Sequence, residues 1–271
     1  MKYKLISSDL DGTLLNSKES ISEQNSAAMK KLREMGIVIA VNTGRTLYEI
    51  PDSVRDNPYI DYYICSNGAA IYSADKKLIY SNYIPKDSFK KVFALLLSYD
   101  TSFAVHDDGK SILDEKKATV EFWTDHRASE YAARNFVKFS DVEKDFEKRY
   151  ADGAEVEMIC CYFKHAHELS ECTQMLEKIP DIKTAASSNE NIEVFSADIN
   201  KGITMGVLCD MLSVELSEVI AAGDSYNDLT MMNMAGLSLA AGNAMEAVKN
   251  QADKVICSCE EHIMRDILNI V

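Results

Sequence analysis

Positions 37–41 read Ile-Val-Ile-Ala-Val, an unbroken apolar and mostly β-branched run. Such a run marks a strand buried on both faces, the situation of a strand inside a parallel sheet. Parallel neighbours need a long crossover, and the sequence on either side supplies it. Ser20-Ile21-Ser22-Glu23 fits the S-x-x-E capping box that opens a helix, the helical pattern runs to Met35, and Gly36 stands at the expected stop. Residues 3–8 ahead of this helix and 62–65 beyond the apolar run complete a strand–helix–strand alternation. The alternation resumes at Gly202. It gives a helix with Ile203, Val207 and Met211 on one face, strands at 219–222, 237–240 and 255–257, and helices at 229–234, 244–251 and 263–270. This order predicts an α/β fold, a Rossmann-like doubly wound parallel sheet covered by helices on both faces.

The middle of the chain breaks the pattern. A helix carrying Phe89, Val92, Phe93 and Leu96 precedes strand candidates at 102–105, 111–113 and 156–163, a helix at 168–179, and further strand candidates at 183–186 and 192–195. This predicts an α+β unit inserted as a cap, with the core formed by residues 1–83 and 191–271 and the cap by residues 84–190. At 271 residues and 46% hydrophobic, the chain is long enough for both. No repeat or Gly/Ser linker separates them, so the boundaries rest on the change of pattern alone.

Charge and cysteine content narrow the function classes. The formal charge of −14 argues against nucleic acid and anionic membrane surfaces, which are bound through Lys and Arg. No apolar run approaches the ~20 residues of a membrane span, and the start of the chain lacks a signal-peptide core. The seven cysteines are odd in number, scattered and never spaced as CxxC, so they read as free thiols in a reducing compartment. A soluble cytoplasmic protein is expected.

Two acidic clusters follow predicted strands. The first is Asp9-Leu10-Asp11-Gly12-Thr13-Leu14 and the second is Gly223-Asp224-Ser225-Tyr226-Asn227-Asp228. Paired carboxylates at the end of a buried strand repel each other, and desolvation worsens this unless a cation lies between them. Taken alone the first cluster fits an acidic loop equally well; a calcium loop fails on the positions of Gly and Glu. In a doubly wound sheet, however, the loops after neighbouring strands converge at one edge, so Asp9, Asp11, Asp224 and Asp228 are expected to meet there. An all-oxygen set without His or Cys favours Mg²⁺. An ordinary helix N-cap at Asn227-Asp228 would account for only part of this set. Asn42-Thr43-Gly44-Arg45 follows the apolar strand and offers a hydroxyl, backbone N–H groups and a guanidinium to an anion. Lys201 opens a helix within a stretch otherwise free of Lys and Arg. A lone lysine is usually a solvated surface charge, but beside Mg²⁺ and Thr43 it fits a clamp on a phosphoryl oxygen.

The order DLDGT, Thr43-Gly44-Arg45, Asn67-Gly68-Ala69, Asn200-Lys201-Gly202, GDSYND and Gly242-Asn243-Ala244 resembles the haloacid dehalogenase superfamily, in its Cof-like class IIB branch of phosphatases. The resemblance implies a Mg²⁺-dependent phosphatase acting on small phosphorylated metabolites through an aspartyl-phosphate intermediate. By matching position, Asp9 would be the nucleophile and Asp11 the general acid and base. Metal binding falls to Asp9, Asp11 through its backbone carbonyl, Asp224 and Asp228. Leu10, Thr43, Gly44, Lys201 and Asn227 would bind the phosphoryl group, with Arg45 a substrate contact. The chain departs from the branch at Asn42, where Ala is common, at Ser7 and Ser8 in the first strand, and at Glu260-Glu261-His262 near the C-terminus.

Phosphomutase-type transfer is the alternative within the superfamily, and a receiver-like phospho-Asp module is the alternative outside it. Receivers are about half this length and lack the second Asp. Specificity would lie in the cap, where Trp123, His106, His126 and the pair Glu155/Glu157 stand out. Each has an ordinary reading too: packing for Trp123, capping or surface for His165 and His167, and the solvent face of a strand for Glu155 and Glu157.

Overall fold

The computed structural model describes residues 2–186 and 188–271. They divide into two compact units, one formed by 2–45, 50–80 and 199–271 and the other by 46–49, 81–186 and 188–198.

The first unit is built on a sheet in which six strands run parallel, in the order Lys254–Val255, Leu237–Ala240, Val219–Gly223, Leu5–Ser8, Val38–Asn42 and Tyr62–Cys65. Ala70–Ser73 pairs antiparallel with Tyr62–Cys65, and Leu78–Ser81 forms the far edge. Every residue of Leu5–Ser8 is buried, which is why this strand has no polar face to alternate with. Chain order runs outward from it in both directions, through Val38–Asn42 on one side and Val219–Gly223 on the other. That reversal creates a crevice beyond the carboxyl ends of the central strands, where ligands of such sheets bind.

Local signals explain most element ends, with two corrections. The first long helix, Glu23–Glu34, is capped by Ser22, whose Oγ accepts the Asn25 N–H at 3.1 Å. Ser20, the first residue of the expected capping box, instead donates to Asn16 Oδ1 and belongs to the preceding turn. In the helix Lys201–Leu212 the expected face is reversed. Ile203 and Met211 are exposed, while Thr204, Met205, Leu208 and Cys209 are buried. This helix is apolar almost all round, so periodicity could not choose its inner face. Near the C-terminus, Glu260 accepts the Ser17 N–H at 2.7 Å, and His262 Nδ1 lies 3.0 Å from Ser22 Oγ. Glu260 and His262 thereby tie the C-terminal segment to the stretch between the first strand and the first long helix.

The second unit is a six-stranded sheet in the order Ile182–Ala185, Asn191–Ser196, Met158–Phe163, Thr101–Asp107, Lys110–Asp114 and Asp141–Glu143. One face packs on the helices Lys86–Leu97, Phe146–Ala151 and Ala166–Leu176 through Phe89, Phe93, Phe103, Phe163, Val105 and Ile159. The boundary expected at 190/191 falls too early. Asn191–Ser196 is hydrogen-bonded between Met158–Phe163 and Ile182–Ala185, so it belongs to this sheet. Residues 46–49 join the same unit, where Tyr48 N–H donates to Gly109 O at 3.1 Å.

Among the cap residues singled out by sequence, Trp123 is fully buried and stacks on Phe136 at 4.3 Å between ring centroids. His126 is locked between Phe122 O at 2.7 Å and Asp100 Oδ1 at 3.0 Å. Glu155 is exposed, but Glu157 is not on a solvent face: its carboxylate is buried and accepts the Gly109 N–H at 2.9 Å, bracing a hairpin turn. His106 Nε2 lies 3.8 Å from Glu49 Oε2. His165 and His167 lie on the surface at the start of their helix, and His165 makes no side-chain cap.

Candidate active site

The loops that leave Leu5–Ser8 and Val219–Gly223 bring together three of the four expected carboxylates. Asp9, Asp224 and Asp228 each place one oxygen within 4.8 Å of the others. Asp9 directly follows its strand and is 5% exposed. Asp228 is fully buried in the turn Tyr226–Asp228. Its two oxygens divide their work. Oδ2 accepts the backbone N–H groups of Asp224 at 2.9 Å and Ser225 at 3.0 Å, and Oδ1 receives Lys201. The capping role and the site role of Asp228 therefore coexist in one carboxylate.

Lys201 is buried, at 2% exposure, and its Nζ lies 2.7 Å from both Asp9 Oδ1 and Asp228 Oδ1. The surface-charge reading is thereby excluded. Its helix comes this close because Gly202 has no side chain: a Cβ there would stand 2.2 Å from Thr230 O. Gly12 plays a similar part across the crevice. Its φ is +77°, and a Cβ would lie 2.4 Å from Asp224 Oδ2.

One ammonium does not neutralise three carboxylates. Burial, reinforced by Asp228, raises the Asp9 pKa well above the usual carboxylate range. The same two causes push Asp224 up to about 7. Burial works against the charged form of Lys201, but Asp228 and Asp9 outweigh it and the lysine pKa rises. Asp9 Oδ2 is buried without a hydrogen-bond partner among the described residues. An orphaned buried carboxylate oxygen beside two further carboxylates is the donor set a small hard cation requires. The residues present therefore fit Mg²⁺.

Asp11 departs from the expected four-carboxylate cluster. Its side chain turns away toward Arg45, which donates from Nε to Oδ2 at 2.8 Å and from Nη2 to Oδ1 at 2.6 Å. The guanidinium fork suits the Asp11 carboxylate better than the three like charges of Asp9, Asp224 and Asp228 would. Arg45 also reaches Glu19 Oε1 at 3.3 Å.

The remaining predicted residues line the same edge. Thr43 is buried and its Oγ1 accepts the Arg45 N–H at 3.1 Å, while Gly44 lies against Asn67. Leu10 is fully buried between the two aspartates. Asn227 Nδ2 donates to Asn67 Oδ1 at 3.2 Å, and its own Oδ1 accepts from Ser225 Oγ at 2.7 Å.

Asn67, Asn243 and Asn42 make contacts at this edge that no sequence motif specifies. Asn67 adopts a left-handed φ of 55° and donates its N–H to Thr43 O at 3.1 Å. Asn243 Nδ2 donates to Gly12 O at 2.7 Å. The Asn-Gly and Gly-Asn-Ala motifs mark Asn67 and Asn243 but carry no partner information.

A family model for haloacid dehalogenase-like hydrolases matches residues 6–264. The chain belongs to that family. Two curated Bacillus subtilis relatives of this hydrolase are the 5-amino-6-(5-phospho-D-ribitylamino)uracil phosphatase YcsE and the phosphatase YwpJ. The first is 28% identical over 93% of this chain and 89% of its own length. The second is 28% identical over 96% of each. A solved haloacid dehalogenase-like hydrolase from B. subtilis, 27% identical, superposes with a TM-score of 0.83 over 99% of both chains. The hydrolase is thus a phosphatase of the superfamily, with its α/β fold.

Proposed function

We propose that this hydrolase is a Mg²⁺-dependent phosphomonoesterase of small phosphorylated metabolites, such as sugar phosphates, nucleotides or phosphorylated cofactors, working through an aspartyl-phosphate. The observation that carries the reading is the buried, unpartnered Asp9 Oδ2 beside Asp224 and Asp228, with Lys201 on the other Asp9 oxygen. The B. subtilis relative whose name specifies a phosphorylated ribitylaminouracil supports the substrate class.

Asp9 attacks phosphorus, its new O–P bond forming as the bond to the leaving alcohol breaks, and Asp11 gives that alcohol its proton. Asp11 then takes a proton from water, the water oxygen attacks phosphorus, and inorganic phosphate leaves with Asp9 regenerated. Lys201, the Thr43 hydroxyl and the Leu10 and Gly44 N–H groups hold the phosphoryl oxygens as charge spreads over them, with Asn227 fixing their orientation. Asp9, Asp224, Asp228 and the Asp11 backbone carbonyl would hold the cation, which supplies positive charge to the phosphoryl group when bound. Arg45, which grips Asp11, would contact the substrate. Seven free cysteines accord with a cytoplasmic location, and no described helix is long and apolar enough to cross a membrane.

The test is a screen of phosphorylated metabolites with and without Mg²⁺, ranked by kcat/KM, alongside Asp9→Asn. Turnover that needs Mg²⁺ and disappears in D9N is expected. Wild-type turnover by D9N with any phosphomonoester refutes the nucleophile.

A further inference from the structure

We propose that Asn42 is a positioning residue that fixes Lys201 against the Thr43 loop. Asn42 ends the strand Val38–Asn42, an otherwise aliphatic segment, and is fully buried. Its Nδ2 donates to the backbone carbonyl of Lys201 at 3.0 Å and to Ser7 Oγ at 3.3 Å. Its Oδ1 is buried with no hydrogen-bond partner among the described residues. An acceptor left in that state carries a desolvation cost with no bond to offset it. An aliphatic side chain of similar size would fill the place without that cost, so stability alone does not account for an asparagine here.

What Asn42 gains is a hold on Lys201 itself. The first turn of the helix Lys201–Leu212 has other anchors. Asn200 Oδ1 accepts the Ile203 N–H at 2.8 Å, Thr230 Oγ1 accepts the Gly202 N–H at 3.2 Å, and Thr204 Oγ1 donates to Gly68 O at 2.8 Å. These bonds fix the flanks of Lys201, whereas the Asn42 bond ends on its own carbonyl. Asn42 is also covalently joined to Thr43. One residue therefore sets the spacing between the Thr43 hydroxyl and the Lys201 ammonium, two groups assigned to the same phosphoryl group. A rigid pair of donors stabilises developing charge without reorganising, and small misplacements of such groups cost rate steeply.

The inference rests on the reading of Lys201 as a phosphoryl clamp, and the experiment separates the two. Asn42→Ala, Asn42→Val, Ser7→Ala, Lys201→Arg and the double variant N42A/K201R are assayed with Mg²⁺ and p-nitrophenyl phosphate. Orthovanadate inhibition and thermal unfolding are measured on each. N42A and N42V are expected to lose about tenfold in both kcat/KM and orthovanadate affinity while their Tm stays within a few degrees of wild type. S7A, which removes the other Asn42 partner and leaves the hold on Lys201, stays within about twofold in activity. N42A adds no further loss in the K201R background, because the group it positions is already displaced. Wild-type activity in both Asn42 variants, an equal loss in S7A, or losses that multiply in N42A/K201R would overturn the proposal. Wild-type kcat/KM in K201R would instead remove the clamp reading on which it rests.

Discussion

Arg45 grips both carboxylate oxygens of Asp11, at 2.6 and 2.8 Å, and holds that side chain outside the Asp9–Asp224–Asp228 cluster. The two carboxylates of the DLDGT motif therefore live in different surroundings. Asp9 is buried against Lys201 and Asp228, and the Asp11 side chain is 45% exposed against a guanidinium.

If Asp11 is the proton donor, its loss matters most for a poor leaving group. Asp11→Asn is expected to lower turnover of alkyl phosphates by about a hundredfold or more, and to slow the release of p-nitrophenolate in the first turnover far less. Stopped-flow release compared with steady-state hydrolysis measures both steps. Equal losses for the two leaving groups in the first turnover would count against the assignment.

Metal removal should show a pH signature in stability. In the metal-free protein the Asp224 carboxyl is raised to about 7 and Asp9 is raised as well. A carboxyl whose folded pKa lies above its unfolded value binds its proton more tightly when folded. The stability it contributes is complete below the unfolded carboxylate pKa and is lost as pH rises through about 7. Tm in chelator is therefore expected to fall between about pH 5 and about pH 8, and the rise in Tm produced by Mg²⁺ to widen over the same interval. A Mg²⁺-induced rise that is constant across this interval would be inconsistent with the shifted carboxyls.

Replacing Lys201 by Met leaves Asp9 and Asp228 facing each other without the ammonium 2.7 Å from each. Breaking a buried ion pair by removing one partner costs about 3–5 kcal/mol. Urea denaturation of the metal-free variant near neutral pH should show a loss of that order, smaller in acid, where the carboxyls take up protons. An unchanged midpoint would contradict the buried pairing.

Gly12→Ala tests the crevice from the other side. The left-handed φ of +77° disfavours any Cβ, and the added atom would stand 2.4 Å from Asp224 Oδ2. The backbone term alone is about 1–2 kcal/mol, and Asp224 must move. Half-saturation by Mg²⁺ in a kinetic titration is expected to shift upward by about tenfold or more. A variant with the wild-type Mg²⁺ requirement would show that Asp224 can relocate freely.

The electrostatic balance gives one more expectation. A protein of formal charge −14 must admit a substrate of its own sign. Lys201 is already engaged by two carboxylates, so attraction falls mainly to the cation. Removing Mg²⁺ should weaken substrate binding as well as chemistry, measured as the affinity of the wild-type protein for a non-hydrolysable phosphonate analogue by calorimetry with and without the metal. Equal affinity in both conditions would sink this account.

The strand–helix alternation, the burial of Leu5–Ser8 and Val38–Asn42, and the positions of Asp9, Asp224 and Asp228 at strand ends were legible in the sequence. Each is set by short-range patterns: runs of apolar residues, turn chemistry, and carboxylates placed directly after a strand. Four further features became visible only in the tertiary structure. Asp11 pairs with Arg45 34 residues away, and Lys201 closes on Asp9 across 192 residues. The helix Lys201–Leu212 turns Thr204 and Leu208 inward rather than Ile203 and Met211. The strand Asn191–Ser196 joins the second sheet by pairing with Met158–Phe163. In each case the sequence offered the groups with their valences open, and the choice of partner came from packing between distant segments. Local patterns fix which face or end carries a charge, but only the assembled sheets decide which opposite charge lies within reach.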